Sequence, residues 1–259
     1  MSEPVDIHSR DNPLLVRLRK LTRTPGAYRK LGAVWLEGEH LCQALRARGW
    51  PATQSLVSES AWQQTSMREL AQHAARTAVV PDALFASVSG LDSPSGIGFA
   101  IDAPEQQTLK PGLASIVLDR VQDAGNVGSI LRSAAALGFS QVLALEGSAS
   151  LWSPKVLRAG MGAHFALDLV EGLKPDELDA LALPLLAASS HAEQSIDAAV
   201  LPWPCAWVFG HEGQGVAAPL LLRCSQTLRI PQPGGEESLN VAAAAAICLY
   251  ATRRAGGRA

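Results

Sequence analysis

With 259 residues, 47% hydrophobic and 18% charged, the chain is long enough for two domains and too apolar to be disordered. A formal net charge of −2 excludes a binder whose whole surface is basic, though not one with a local basic patch. The four cysteines (Cys42, Cys205, Cys224, Cys248) form no CxxC pair and no metal-ligand spacing; no apolar run reaches a membrane span, and the N-terminus lacks a signal-peptide core. A reduced, cytoplasmic protein with no metal and no membrane partner is expected. In chain order, the first predicted element is a helix from about Pro13, with Asp11 or Asn12 as N-cap and Pro13 in the first turn. A strand at 33–36, a helix around 39–48, a strand near 53–57, a helix at 61–76 and strands at 78–80 and 98–101 follow. The polar, proline-bearing stretch 102–112, DAPEQQTLKPG, reads as a linker dividing the chain near residue 105. Beyond it, apolar runs at 115–118, 142–145, 165–170, 183–187 and 207–209 alternate with helical segments. That alternation predicts a mainly parallel sheet covered on both faces.

Basic residues are unevenly spread. Between Arg10 and Lys30 stand Arg10, Arg17, Arg19, Lys20, Arg23, Arg29 and Lys30, against the single acid Asp11. Such a cluster on a near-neutral chain is the footprint of a surface that meets phosphates, and RNA contact is favoured over an ordinary solvated helix face. Leu14, Leu15, Leu18 and Leu21 show that the same helix also packs on a core.

Three blocks in the second half carry the chemistry. In the first, 118–138, a strand ends at Asp119, a glycine-punctuated loop follows, and a helix begins near Asn126 with Arg132 one to two turns in. GxGxxG and Walker A spacings are absent, but Glu146 stands about 20 residues on, so a dinucleotide reading stays open. In the second, VFGHEGQGV at 208–216, no second histidine completes HExxH, which argues against zinc. Three glycines around Glu212, directly after an apolar strand, predict a tight turn with close backbone approach. The third is Arg229–Leu249, RIPQPGGEESLNVAAAAAICL, where a strand end near 228–230 runs through a proline-glycine loop and Ser238-Leu239-Asn240 into an alanine helix. An all-alanine face permits close packing, and a helix N-terminus presents free N–H groups.

In this order and at these separations the blocks resemble the SpoU (TrmH-like) class of the SPOUT superfamily of RNA methyltransferases. The first family motif is met by Asn126, Gly128 and Arg132, the second, GxExxG, by Gly210, Glu212 and Gly215. The third is met by Ile230, Pro231, Gly235, Ser238, Leu239 and Asn240. An SPK…R…MGA.F segment matches at Ser153–Phe165, and the likeness is close over 114–254. Earlier, a WLEG turn (Trp35–Gly38) and the basic first helix resemble the substrate-binding domain that many members carry. Ala124 replaces a usual proline and Gly160 a common serine, both backbone positions.

The resemblance implies an α/β fold with a C-terminal trefoil-knotted, mainly parallel SPOUT domain at 106–259, preceded by a smaller α/β RNA substrate-binding domain at 1–105. It implies S-adenosylmethionine as cofactor, held by Gly210, Ile230, Leu239, Pro231 and Asn240 against the alanine helix at 242–246. It also implies a homodimer whose protomers complete each active site, and an RNA substrate. The reaction it implies is transfer of methyl to a ribose 2′-hydroxyl, with Asn126, Arg132, Glu212, Ser238 and Asn240 as the catalytic set. A guanidinium with a pKa above about 12 is a poor proton acceptor. Arg132 is therefore assigned to a phosphate or the developing alkoxide, and Glu212, Ser238 and Asn240 to organising the loops and the ribose. RNA contact is assigned to Arg10, Arg17, Arg19, Lys20 and Arg23. The separate N-terminal domain favours 23S ribosomal RNA over tRNA. The alternatives are a tRNA methyltransferase, a catalytically silent RNA-binding knot protein, and a nucleotide-dependent α/β enzyme.

Overall fold

A computed structural model describes residues 3–105, 107–235 and 238–256. The chain forms two compact units, Met1–Glu105 with Trp152–Phe165, and Gln106–Leu151 with Ala166–Ala259. The stretch 106–259 is therefore not one continuous domain: the segment that carries the SPK…R match packs with the first unit.

In the first unit the elements are β1 (Val5–Asp6), α1 (Pro13–Arg23), α2 (Ala27–Leu31), β2 (Ala33–Glu37), α3 (Glu39–Ala47), β3 (Gln54–Ser58), α4 (Glu59–Trp62), α5 (Thr65–Ala71), β4 (Thr77–Val80), α6 (Asp82–Val88) and β5 (Ile97–Asp102). The excursion adds α8 (Pro154–Gly160). Asn12 caps α1, its side chain accepting from Leu14 N at 2.9 Å, and Pro13 sits where a helix lacks N–H partners anyway. Leu15, Leu18 and Leu21 form its buried stripe. The helix expected over 61–76 is instead two short ones, α4 and α5, interrupted where Gln64 adopts extended backbone at φ −82 and ψ 124. The sheet runs β1-β4-β3-β5-β2, with β5 antiparallel to both β3 and β2. Leu36, Leu56, Ile97 and Phe99 fill its core.

The second unit contains β6 (Ser115–Asp119), α7 (Ala124–Ala136), β7 (Gln141–Leu145), β8 (Asp168–Leu173), β9 (Leu185–Ala188), β10 (Gln194–Ser195), β11 (Ala206–Gly210), α9 (Ala218–Leu221), β12 (Gln226–Arg229) and α10 (Val241–Gly256). Its seven strands run β10-β12-β9-β11-β6-β7-β8, and every pairing is parallel. The α/β, mainly parallel fold expected from the sequence is the one found. The run 165–170 becomes strand only from Asp168, since Ala163–Ala166 forms a 3₁₀ turn. The end of the polar linker is pinned rather than free: Lys110 N donates to the buried Gln141 side chain at 2.8 Å.

Two consequences of this topology position the site. From β6 the chain builds outward through β7 and β8, then returns to place β11 between β6 and β9. The carboxyl ends of β6 and β11 therefore flank a topological switch point, where open parallel sheets leave a crevice. Secondly, α10 packs its Ala245, Cys248, Leu249 and Thr252 stripe inward, and Thr252 Oγ1 accepts from the buried Trp207 indole at 2.8 Å. The alanines at 242–246 are not all buried: Ala245 is, whereas Ala243 is exposed and the rest are half-covered. All four cysteines are free thiols, and burial pushes Cys205 and Cys248 up to about 12.

Candidate active site

At the end of β6, Asp119 is buried and Arg120 adopts a left-handed backbone at φ 59. That conformation is costly for a side-chain-bearing residue and persists only where its surroundings hold it. Here they do. The Arg120 guanidinium grips Asp119 through two bonds of 3.0 and 3.1 Å, and reaches Gln214 Oε1 at 2.9 Å and Gly215 O at 3.4 Å. Asp119 Oδ2 also accepts from Ala217 N at 2.7 Å. One fork thus ties the end of β6 to the loop after β11, 95 residues later in the chain.

That loop is the tight turn expected at GxExxG. His211 and Gly215 exchange both backbone hydrogen bonds, at 3.1 and 2.8 Å, so residues 211–215 fold back over the strand end. A Cβ on Gly210 would run into the backbone of Gly215 and Val216. Gly210→Ala is therefore expected to destabilise the protein by about 1–3 kcal/mol, because backbone cannot swing aside as a side chain can. Urea denaturation checks this; an unchanged midpoint would show that the turn has room.

The turn presents Glu212 to the β6–α7 loop. Its carboxylate accepts from Asp123 N at 3.1 Å, Gln122 N at 3.3 Å and Asn126 Nδ2 at 3.1 Å. Partial burial raises the Glu212 pKa, but the Asn126 amide and the backbone N–H groups outweigh it and hold the carboxyl below its ordinary range. Asp123 caps α7 by accepting from Asn126 N at 2.7 Å, so the helix starts at Ala124, two residues ahead of the expected Asn126. Asn126 Oδ1 in turn accepts from Asn240 Nδ2 at 2.9 Å, and Asn240 Oδ1 caps α10 through Ala242 N and Ala243 N. A single chain, Glu212–Asn126–Asn240, joins all three sequence blocks at the switch point.

The remaining candidates sit around this chain without joining it. Gly210 ends β11, buried; Ile230, half-buried, and Pro231, exposed, follow β12. Leu239 beside Asn240 is 39% exposed, and Ser238 is exposed. Glu236 and Glu237 lie outside the described residues. Arg132 stands on the exposed α7 stripe with Gly125 and Ser129, and forms no ion pair or hydrogen bond among the described residues. The Asp119–Arg120–Gln214 clamp was not among the residues singled out from the sequence; only the acidic strand end before a glycine loop signalled it. Among the described residues no group of histidine, cysteine and acidic side chains could hold a metal ion, and no helix is long and apolar enough to cross a membrane.

The SpoU rRNA Methylase family profile matches residues 114–250, more than half of the chain. The chain belongs to that family. It is 31% identical, over 98% of its own length and 95% of the other's, to an uncharacterized tRNA/rRNA methyltransferase of Synechocystis. It is 30% identical to the 23S rRNA (guanosine-2′-O)-methyltransferase RlmP of Bacillus subtilis, covering 86% of this chain and 90% of that one. Its fold superposes with a TM-score of 0.83 on the SpoU methyltransferase AviRb from Streptomyces viridochromogenes, solved with the cofactor AdoMet, at 23% identity over 94% and 97% of the two chains. A SpoU methyltransferase thus holds its methyl donor on this fold.

On the first unit, the five basic candidates divide. Arg10 and Lys20 are exposed. Arg17 donates to Leu31 O at 2.8 Å, closing the end of α2, and Arg23 donates to Ser87 O at 3.3 Å. Arg19 is half-buried and holds Arg10 O at 2.5 Å. Three of the guanidinium groups therefore also tie neighbouring segments to α1, namely α2, α6 and the chain at Arg10, a use that charge counting does not reveal.

Proposed function

We propose that this protein transfers a methyl group from S-adenosylmethionine to a ribose 2′-hydroxyl of ribosomal RNA, with 23S rRNA favoured over tRNA. The observation that carries this reading is the Glu212–Asn126–Asn240 chain, which draws three distant segments to one crevice. A catalytically silent relative would have no need to keep it, and the named activity of the Bacillus relative supports the substrate class.

The residues fit such a cofactor. Gly210 leaves no side chain at the strand end, and the β11 and β12 ends stand two strand spacings, about 10 Å, apart. Gly210, Ile230, Pro231 and Leu239 would hold the donor through backbone and apolar contacts, with Asn240 at the rim. When bound, S-adenosylmethionine supplies an electrophilic sulfonium methyl. The 2′-hydroxyl must lose its proton as its oxygen attacks, so the protein must align that oxygen and steady its negative charge. Asn240 and Ser238 orient the ribose, Glu212 and Asn126 fix the loops, and Arg132 supplies the positive charge.

Arg132 lies outside its own protomer's network, which supports a homodimer that completes the site. The outer stripe of α10 supports it too, since Ile247 and Tyr250 are 40% and 60% exposed. The first unit is the RNA-binding part, with Arg10, Arg17, Arg19, Lys20 and Arg23 meeting phosphates.

Arg120→Ala releases the second motif from β6 and is expected to raise KM for S-adenosylmethionine about tenfold, the equivalent of one charge-assisted hydrogen bond. Initial rates measure it, and Arg120→Lys should recover little because the fork is lost. The function itself is tested by incubating the protein with labelled S-adenosylmethionine and unmodified ribosomal RNA or tRNA. Label on a ribose 2′-oxygen of 23S rRNA is expected; label on tRNA alone would replace the substrate, and no label would sink the reading.

A further inference from the structure

Two segments remain unused by this reading: the WLEG turn and the SPK…R segment. The structure brings both to one cleft of the first unit. It is bordered by Trp35, Glu37, Leu41, Gly90, Lys155 and Arg158. Trp35 and Glu37 are two residues apart on β2 and so share one face of the sheet. The Glu37 carboxylate is aimed by the end of α6 rather than by a cation: Ser89 Oγ donates to Oε1, and Gly90 N donates to Oε2 at 2.9 Å. A carboxylate oxygen has two acceptor positions, so each still offers one. Lys155 and Arg158 are exposed on α8, and neither forms an ion pair among the described residues. Arg158 uses one Nη on Gly90 O at 3.4 Å, which leaves its other donors available. Trp35 is buried, and its Nε1 has no acceptor among the described residues.

A cleft that holds a carboxylate and two cations without pairing them suits a ligand with donors at one end and negative charge at the other. A nucleotide has that form. Among the bases, guanine alone places two N–H donors side by side, N1–H and N2–H₂. Adenine, cytosine and uracil each set one donor beside an acceptor on that edge, which would face a carboxylate oxygen unfavourably. Guanine O6, next to N1–H, is an acceptor of the kind the Trp35 indole lacks. Proteins read unpaired RNA bases on this edge.

We propose that this cleft binds a guanine nucleotide of single-stranded RNA, Glu37 receiving N1–H and N2–H₂ and Lys155 with Arg158 receiving the phosphate. The inference rests on the reading of the first unit as RNA-binding and adds a base preference to it. Equilibrium dialysis of the full-length protein with GMP, IMP and AMP tests it, with saturating S-adenosylhomocysteine present to occupy the proposed donor site. GMP should bind at least about tenfold more tightly than AMP or than IMP, which lacks the 2-amino group. Glu37→Gln should shrink both ratios to about twofold, since an amide offers one acceptor and one donor. Lys155→Ala, away from the Ser89–Gly90 clamp, should weaken all three nucleotides alike and leave the ratios intact.

Equal binding of the three nucleotides, or none at millimolar concentration, overturns the proposal, as does a guanine preference that survives Glu37→Gln. The comparison on unaltered protein holds whether or not Glu37→Gln folds. Methyl transfer to ribosomal RNA is measured on the same preparation. If it proceeds without guanine preference, only the cleft assignment falls; if guanine preference stands without methyl transfer, the enzymatic reading falls.

Discussion

Replacing Arg132 with alanine is expected to lower kcat by about 10²–10³ while S-adenosylhomocysteine affinity stays within about twofold. The side chain is exposed on the stripe of α7 that also carries Gly125 and Ser129, and no described partner occupies it. A cation left unpaired beside a crevice is available to a substrate, and removing one donor from a developing oxyanion costs rate rather than cofactor binding. Arg132→Lys separates two roles. Partial activity follows if charge is what matters, because lysine keeps the charge but loses the planar fork. Complete loss with intact cofactor binding would count against a purely electrostatic role. Mixing Arg132→Ala with Asn240→Ala protomers adds a further readout: a homodimer with shared sites should regain part of the activity that each variant lacks alone.

Glu212→Ala is expected to lower kcat/KM by at least about 100-fold, and here cofactor affinity should fall as well. The carboxylate is the only described group that bonds Gln122 N, Asp123 N and the Asn126 amide together, so its loss unties the β6–α7 loop from the β11 turn. Glu212→Gln keeps the shape but offers weaker acceptors, and should fall between. The pH dependence has a definite sign. Hydrogen bonds hold the folded-state pKa below the unfolded value of about 4.3, so the stabilisation is complete above that value and disappears as pH falls through the folded one. The stability gap between wild type and Glu212→Gln should then be constant from pH 8 to 5 and close below about pH 4. A gap that persists at pH 3 would mean that shape, not charge, carries the contact.

How much of this was legible in the sequence depends on the range of the contact involved. Local signals held: Asn12 before Pro13 gave the start of α1, and three glycines around Glu212 gave the tight turn. The three blocks were each visible, and family likeness joined them. The bonds that connect them, Asn126 to Glu212 and Asn126 to Asn240, span 86 and 114 residues, and no periodicity encodes such a distance. Asp119 and Arg120 looked like an ordinary strand end, because their partners Gln214, Gly215 and Ala217 lie almost a hundred residues on. Helical propensity through 61–76 was real but local, and extended backbone at Gln64 interrupts it. The excursion Trp152–Phe165 was unreadable for a different reason: nothing in SPKVLRAG tells which of two cores it covers. The alanine helix was read as one that packs closely against the site loops, yet an alanine face fits a neighbour on either side, and one side of α10 remains exposed.

The central claim is that the crevice joining Asn126, Glu212 and Asn240 methylates a ribose of 23S ribosomal RNA. Mapping 2′-O-methylation across total RNA from cells with and without this protein tests it most directly. One 23S position should lose its methyl group without the protein and regain it from the wild-type chain but not from Glu212→Ala. Loss confined to tRNA, or an unchanged map, would contradict it.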